Sequence, residues 1–333
     1  MSPSFSSPRI VIAGASSLLG AELRQLLEEG RFAAADFRLV DEELAAGILT
    51  EAGGEPAVIQ PVEEDSFSRA QCVFFAGSAA FARRNAGAAQ RSGAKVIDLS
   101  GGLLEEKGTT VWFPQLETPR GAAARPEGSV FCVPSAPGTI AALLSLALQR
   151  AGLRRLMLLF FRPVSEAGRP GIEELESQTT QLLGFQPAGH PVFGTQVAFN
   201  LLEHYGEESA QNLAEERARV RRETAACLGG AGIAPSLQVL HAPVFYGYTF
   251  AACADLAPEA TAEGIAGACR EAGFVLAGPG EAGPSNLTAG DTGIHVAQPE
   301  ADPALRGAWW LWGAADNVKL PASNAVRLAE RLL

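Results

Sequence analysis

The stretch RIVIAGASSLLGAELRQLLEEG, residues 9–30, constrains the fold more than any other part of the chain. Arg9 to Ala13 is an apolar, β-branched run, and Gly14 breaks it. Leu19, Leu23, Leu26 and Leu27 then follow helical spacing, with Gly20 inside the helix. A strand, a glycine turn and a helix form the first half of a mononucleotide-binding unit. Its turn lets a pyrophosphate approach the backbone N–H groups at the helix start. Gly14, Ala15, Ser16, Ser17, Leu19 and Gly20 are the candidate contacts, and Ser17 stands where a three-glycine pattern has its middle glycine. A tight β–α turn without a ligand is the alternative.

More strand–helix units follow. FRLVDEE is a second strand ending at Asp41. CVFFAG, Cys72 to Gly77, is a third that leads into the helix AAFARRNAGAAQRSG, and KVIDLSGG is a fourth. Apolar strands alternating with helices imply a parallel sheet covered on both faces, with Ala76–Gly77–Ser78 and Asp98–Ser100 at its carboxyl edge. Past Gly138 the pattern changes to long apolar strands (RRLMLLFFRPVSEAG, APSLQVLHAPVFYGYTFAACADL) and an amphipathic helix (GIEELESQTTQLL). The last segment, ADNVKLPASNAVRLAERLL, reads as a helix returning to the first domain. The expected fold class is therefore α/β, in two domains for 333 residues. A Rossmann-like parallel-sheet domain spans 1–137 and is completed by 316–333. An α+β domain with a broad mixed sheet spans 138–315.

Hydrophobic residues make up 47% of the chain and charged residues 19%, which excludes a disordered chain. The formal charge of -11 argues against nucleic acid and anionic lipid as partners. Five scattered cysteines without a CxxC pair signal neither a zinc site nor a disulfide framework; buried thiols in a reducing compartment are expected. MSPSFSSPRI has no signal-peptide pattern, and no run of about 18 apolar residues is available to span a membrane. A soluble cytoplasmic protein without a metal is expected.

Six landmarks in one order resemble the aspartate-semialdehyde dehydrogenase family. VIAGASSLLGAEL looks like its GATGxVG loop, and FFAGSAAFARRNAGAAQRSGAKVIDLSG like the segment with its SAG and VIDxSS elements. VSEAGRPGIEELESQTTQLL resembles VSGAGxxGxxELxxQ, and VFGTQVAFNLLEH is similar to IAFNxIPxI. APVFYGYTFA aligns with RVPVxxGHS, and ADNVKLPASNAVRLAE with ADNxxxGAAxNAVQIAE. The family reductively dephosphorylates an acyl phosphate with NADPH. In the other direction a Cys thiolate attacks the aldehyde, a His shuttles the proton, and two Arg residues hold the substrate's carboxylate and phosphate. The resemblance implies a homodimer formed through the second domain.

Carried over residue by residue, the catalytic positions have changed. The nucleophile motif N-P-N-C-[ST] matches Val133–Pro134–Ser135–Ala136, so the Cys position is Ala136. Cys132 lies four residues upstream, about 13 Å along an extended strand. Ser135 is an oxygen nucleophile only with a partnered base, and Pro137 suits a first helical turn. The His of G-H-S is Tyr248, and a phenol titrating near 10 is a poor base at neutral pH. His241 takes the place of the substrate-carboxylate Arg; it could carry a charge but lacks the guanidinium fork. The phosphate-holding Arg falls at Leu103 or Leu104. The substrate-positioning Gln is Arg162, a following Gly is Glu166, and the Lys of EExK is the similar Arg219.

The cofactor side changes less. Gly14, Ala15, Gly20, Gly77 and Asn317 of the ADN motif are retained. The family's 2′-phosphate-reading turn is VDEELAAG here, with Leu44 at the Arg position beside Asp41, Glu42 and Glu43. Three carboxylates repel a 2′-phosphate, and Asp41 suits a free ribose 2′-OH, so NAD is expected over NADP; an empty cleft is the alternative. The resemblance thus implies a degenerate, Usg-like member without the phosphorylating reaction, retaining nucleotide or metabolite binding and dimerisation. A Cys-independent oxidoreductase acting on a small aldehyde or acid, with Tyr248 and Arg162 or His241 in a rebuilt pocket, is the second possibility. An intact semialdehyde dehydrogenase is the third.

Overall fold

The computed structural model describes residues 7–45, 47–52, 54–116, 126–287 and 290–333. The chain divides into two compact units, Met1–Pro134 with Pro321–Leu333, and Ser135–Leu320. In chain order the first unit contains β1 (Arg9–Ala13), α1 (Leu18–Glu29), β2 (Asp36–Asp41), β3 (Leu49–Ala52), β4 (Glu55–Val58), β5 (Gln60–Pro61), β6 (Cys72–Phe75), α2 (Ala79–Arg91), β7 (Lys95–Asp98), β8 (Thr109–Val111) and β9 (Val130–Cys132). Seven strands form one parallel sheet in the order β5-β2-β1-β6-β7-β9-β8, and β3 and β4 make a separate hairpin. Alternate residues of one strand supply opposite cores. Ile10 and Ile12 pack with Phe74, Ile97, Phe131 and Leu23 and Leu27 of α1. Val11 and Ala13 pack with Val73, Phe75, Val96 and Phe81, Ala82 and Ala86 of α2. Burial on both faces explains why these strands read as continuous apolar runs. Ala322, Ala325, Leu328 and Ala329, from the C-terminal helix, join the first of these cores.

The second unit contains α3 (Ala136–Leu148), β10 (Arg155–Arg162), α4 (Gly168–Leu183), α5 (Leu213–Leu228), β11 (Ser236–His241), β12 (Tyr248–Asp255), α6 (Ala262–Glu271), β13 (Phe274–Leu276), β14 (Ile294–Val296), β15 (Glu300–Ala301) and β16 (Ala308–Ala315). The chain ends in α7 (Lys319–Leu332), which belongs to the first unit from Pro321 onward. The mixed sheet runs β11-β10-β12-β16-β14-β13, with β15 paired to β16. β10 and β11 are parallel, whereas β10–β12, β12–β16 and β14–β16 are antiparallel. Helix α3 is buried on nearly every side, and α3 and α5 pack together over β10 and β11. Leu156, Leu158 and Phe160 of β10 face this core. On the other side of the sheet Met157, Trp310 and Trp312 remain 53%, 44% and 39% exposed. Among the described residues no helix is long and apolar enough to cross a membrane.

Three strand ends gather the polar residues of the second unit. Arg162 ends β10 directly opposite His241, which ends β11. Tyr248 opens the antiparallel neighbour β12 opposite Ala315, two residues before Asn317.

Candidate nucleotide loop and buried charge cluster

In the first unit the glycines of the β1–α1 turn are required by close packing. Gly14 has φ +93°, and a Cβ there would lie 2.2 Å from Gly77 N. A Cβ on Gly20 would lie 2.3 Å from the Gly14 carbonyl. Ser17 is the N-cap of α1: its Oγ accepts from Gly20 N at 2.8 Å and faces the carbonyls of Gly14 and Ala76 at 2.8 and 2.9 Å. Leu19 packs against the core beneath the sheet, so it supports the helix with its side chain. The loop offers a helix N-terminus behind a turn of small residues, with the amides of Gly14, Ala15, Ser16, Ser17 and Gly20 bonded within the fold. These residues fit a dinucleotide.

Asp41 is only 6% exposed. Its Oδ2 accepts from Ser16 N at 2.8 Å and Ser16 Oγ at 2.7 Å, and its Oδ1 from Glu42 N at 2.8 Å. The carboxylate thereby ties the glycine loop to the end of β2. Glu42 is partly exposed, and its Oε1 lies 3.0 Å from Arg84 Nη2 and 3.3 Å from Ser78 Oγ. The side chain of Leu44, at the family's Arg position, lies outside the described residues.

The second unit holds a connected set of buried charges. Glu216, Arg219 and Glu223 project from one side of α5 at helical spacing. Arg219 donates to Glu216 through Nη2 at 2.6 Å and Nε at 3.1 Å, and reaches Glu166 at 3.4 Å and Glu223 at 3.9 Å. Glu223 Oε2 accepts from Ser135 N at 3.1 Å and also from the Ser135 hydroxyl. Ser135 caps α3, and Ala136, 1% exposed, is that helix's first residue, with Pro137 beside it in the first turn. Glu166 Oε1 accepts from Asn317 Nδ2 at 3.0 Å, and Asn317 Oδ1 accepts from Gly247 N at 3.0 Å and Ser165 Oγ at 3.2 Å. Within this unit Asn317 fastens the β12 entrance to the segment after β10.

Burial sets the proton affinities. It raises the Glu166 carboxyl, assisted by the neighbouring charge of Glu216. It raises Glu223 too, against the opposing pull of Arg219 and the Ser135 hydroxyl. For Glu216 the same desolvation is outweighed by Arg219 and then Arg162, and its carboxyl is lowered. Tyr248 is wholly buried, with its ring edge-on to Phe160 and its hydroxyl donating to Glu216 at 3.4 Å. Desolvation, then Glu166 and Glu216, push its phenol well above the ordinary range.

Arg162 is 4% exposed and donates to Tyr205 OH at 3.0 Å and Gln211 Oε1 at 2.9 Å. Tyr205 OH also stands 3.3 Å from His241 Nδ1. Desolvation, with Arg162 adding and the Val197 carbonyl opposing, lowers His241 to about 4. Its imidazole is therefore neutral at pH 7, and the fixed charge at this pair of strand ends is that of Arg162.

The structure thus joins Ala136, Arg162, Tyr248, His241 and Asn317 to one region of the second unit, and Gly14, Ala15, Ser16, Ser17, Gly20, Asp41 and Gly77 to one turn of the first. Sequence reasoning did not single out Glu216, Glu223, Tyr205 and Gln211. The detectable signal was acid–base–acid spacing of i, i+3 and i+7 along α5. It also missed Glu174 and Gln178, four apart on α4. Gln178 Oε1 accepts from Val197 N at 2.8 Å and Ala198 N at 3.1 Å, and Glu174 accepts from Val192 N, which fixes the loop carrying Phe193 to Ala198. Among the described residues no group of three His, Cys, Asp or Glu side chains is placed to hold a metal ion.

Comparison with known proteins places this geometry. The sequence profile of the semialdehyde dehydrogenase NAD-binding domain matches residues 9–122, and that of the semialdehyde dehydrogenase dimerisation domain matches residues 143–319. A USG-1 protein homolog of Azotobacter vinelandii is 30% identical, with 97% of each chain covered. An aspartate-semialdehyde dehydrogenase of Shewanella violacea is 27% identical over 97% of each chain. The solved structure of a probable aspartate-semialdehyde dehydrogenase from Pseudomonas aeruginosa superposes with a TM-score of 0.86 at 28% identity, covering 98% of each chain. With a glycine turn that fits a dinucleotide in one unit and a mixed sheet in the other, the chain belongs to the semialdehyde dehydrogenase family.

Proposed function

We propose that this protein is a nucleotide-binding homodimer of the family that does not run the phosphorylating, thiol-based semialdehyde reaction. The observation that carries the proposal is Ala136 at the first position of α3, which the resemblance aligns with the family nucleophile. A methyl group offers no electron pair, and the five cysteines are all buried. Burial raises Cys72 and Cys253 and pushes Cys269 up to about 12, which disfavours a reactive thiolate in each. At the base position Tyr248 holds its proton far beyond neutral pH. Arg219, at the position of the family's lysine, is engaged by three carboxylates.

Nucleotide binding is supported by the intact glycine turn and the family's NAD-binding domain. The carboxylates at the end of β2 favour NAD over NADP. Dimerisation is supported by the match to the family's dimerisation domain and by the half-open apolar sheet face that includes Met157, Trp310 and Trp312.

The test is an assay of phosphate-dependent oxidation of aspartate semialdehyde with NAD and NADP, on the parent and on Ala136→Cys alone and with Tyr248→His. The parent is expected to be inactive. Ala136→Cys is expected to show no turnover, because its thiol enters a position only 1% exposed and Tyr248 keeps its proton. Parent turnover abolished by Cys132→Ser overturns the proposal. NADH formation that survives alkylation would instead favour direct hydride transfer.

A further inference from the structure

The end of β2 carries two carboxylates with different surroundings. Asp41 is buried and accepts three hydrogen bonds, two from Ser16 and one from the Glu42 amide. Glu42 is open: its side chain is 43% exposed and Arg84's is 61% exposed. Arg84 stands on α2, which follows β6, and β1 lies between β2 and β6 in the sheet. The 3.0 Å ion pair between Arg84 and Glu42 therefore bridges the two strands that flank the glycine turn. Ser78, the N-cap of α2, adds its hydroxyl to the same Glu42 oxygen at 3.3 Å.

This is the sheet edge at which an open parallel fold receives the ribose of a dinucleotide. A carboxylate there accepts hydrogen bonds from ribose hydroxyls. A guanidinium there binds a phosphate through paired N–H groups. Here the two groups are bound to each other, so the carboxylate both repels a 2′-phosphate and cancels a cation able to hold one. We infer that Glu42, rather than Asp41, selects the nucleotide, and that Arg84 is a latent 2′-phosphate ligand held in check by Glu42. The inference rests on the nucleotide-binding reading above and names the residues that decide between its two cofactors.

An exposed ion pair contributes little to stability, so substitutions at either position are expected to fold. The test is calorimetric titration of NAD and NADP at low salt into the parent, Glu42→Gln, Arg84→Ala and the double variant, with thermal melts as a control. Glu42→Gln removes one repulsive charge and frees one attractive charge. It is expected to tighten NADP about tenfold and to weaken NAD by a smaller factor. The double variant is expected to lose the gain, and raising the salt to shrink it. Nucleotides that bind the parent yet respond less than twofold to Glu42→Gln overturn the inference alone, as does a gain that persists without Arg84. Silence from both nucleotides in all four proteins overturns the nucleotide-binding reading and this inference with it.

Discussion

The turn at Gly14 and the charge cluster around Arg219 both lie where strands end, yet they are held by different means. The turn is backbone against backbone: Gly14 meets Gly77, Gly20 meets the Gly14 carbonyl, and Ser17 closes the helix start. Its requirement is the absence of side chains, which changes elsewhere in the chain leave untouched. The cluster is side chain against side chain, with two guanidiniums among Glu166, Glu216 and Glu223. Its chemistry follows the identity of each residue, and replacing one changes the proton affinity of the rest. The turn therefore depends on backbone approach, whereas the cluster depends on the identity of each side chain.

The sharpest way to break the first region is Gly14→Ala. The new methyl would stand 2.2 Å from a backbone nitrogen at φ +93°, where no flexible side chain can yield. A loss of about 4 kcal/mol in denaturant-determined stability is expected, with nucleotide binding lost as well. Stability within 1 kcal/mol of the parent would show that the turn can relax and is not fixed by packing.

The second region breaks through pH. His241 is lowered from 6.5 to about 4, so between those values the unfolded chain binds the extra proton. Stability from this group is present above about 6.5 and is lost as pH falls towards 4, by up to ~3 kcal/mol. Glu166 and Glu223, whose carboxyls are raised, act in the opposite sense, losing stability as pH rises above the ordinary carboxylate range. The difference between parent and His241→Gln isolates the histidine. Denaturation curves from pH 7 to pH 4 are expected to converge at the acid end, and parallel curves would refute a buried neutral imidazole.

The same contrast governs what could be read from the chain. The β1–α1 turn was legible because Gly14 and Gly20 have no substitute where backbone approaches within a Cβ's reach. The parallel sheet was legible because strands buried on both faces are uniformly apolar. Asp41 was harder: its position at the strand end suggested a ribose contact, but whether its oxygens face outward or hold Ser16 depends on a loop conformation that local sequence does not fix. The charge state of His241 was illegible for a similar reason. It arises from burial, opposed by Val197 and assisted by Arg162, which lie 44 and 79 positions away in the chain. The role of Glu223 was hidden because a glutamate on a helix normally faces water.

The smallest expected effect tests the comparison most directly, because both regions use a serine N-cap. Ser17 accepts from Gly20 N at 2.8 Å, and Ser135 accepts from Gly138 N at 3.4 Å. Replacing either by alanine is expected to cost about 1 kcal/mol at pH 7. Their partners on the other side of the hydroxyl differ. Ser17 faces the neutral carbonyls of Gly14 and Ala76, whereas Ser135 donates to the Glu223 carboxylate. Removing the Ser135 hydroxyl removes a bond that favours ionised Glu223, so the carboxyl of the Ser135→Ala variant rises further. Above that raised value Glu223 is ionised in both proteins and the cost is largest. As pH falls and the carboxyl takes up its proton, the charge-assisted bond is lost in the parent too, and the gap narrows. The cost of Ser17→Ala is expected to stay level over the same range, since no titrating group accepts its proton. Stability measured across the whole pH range in which the protein stays folded separates the two variants. A pH-independent cost at Ser135 would mean that its hydroxyl works, like Ser17's, as an ordinary helix cap.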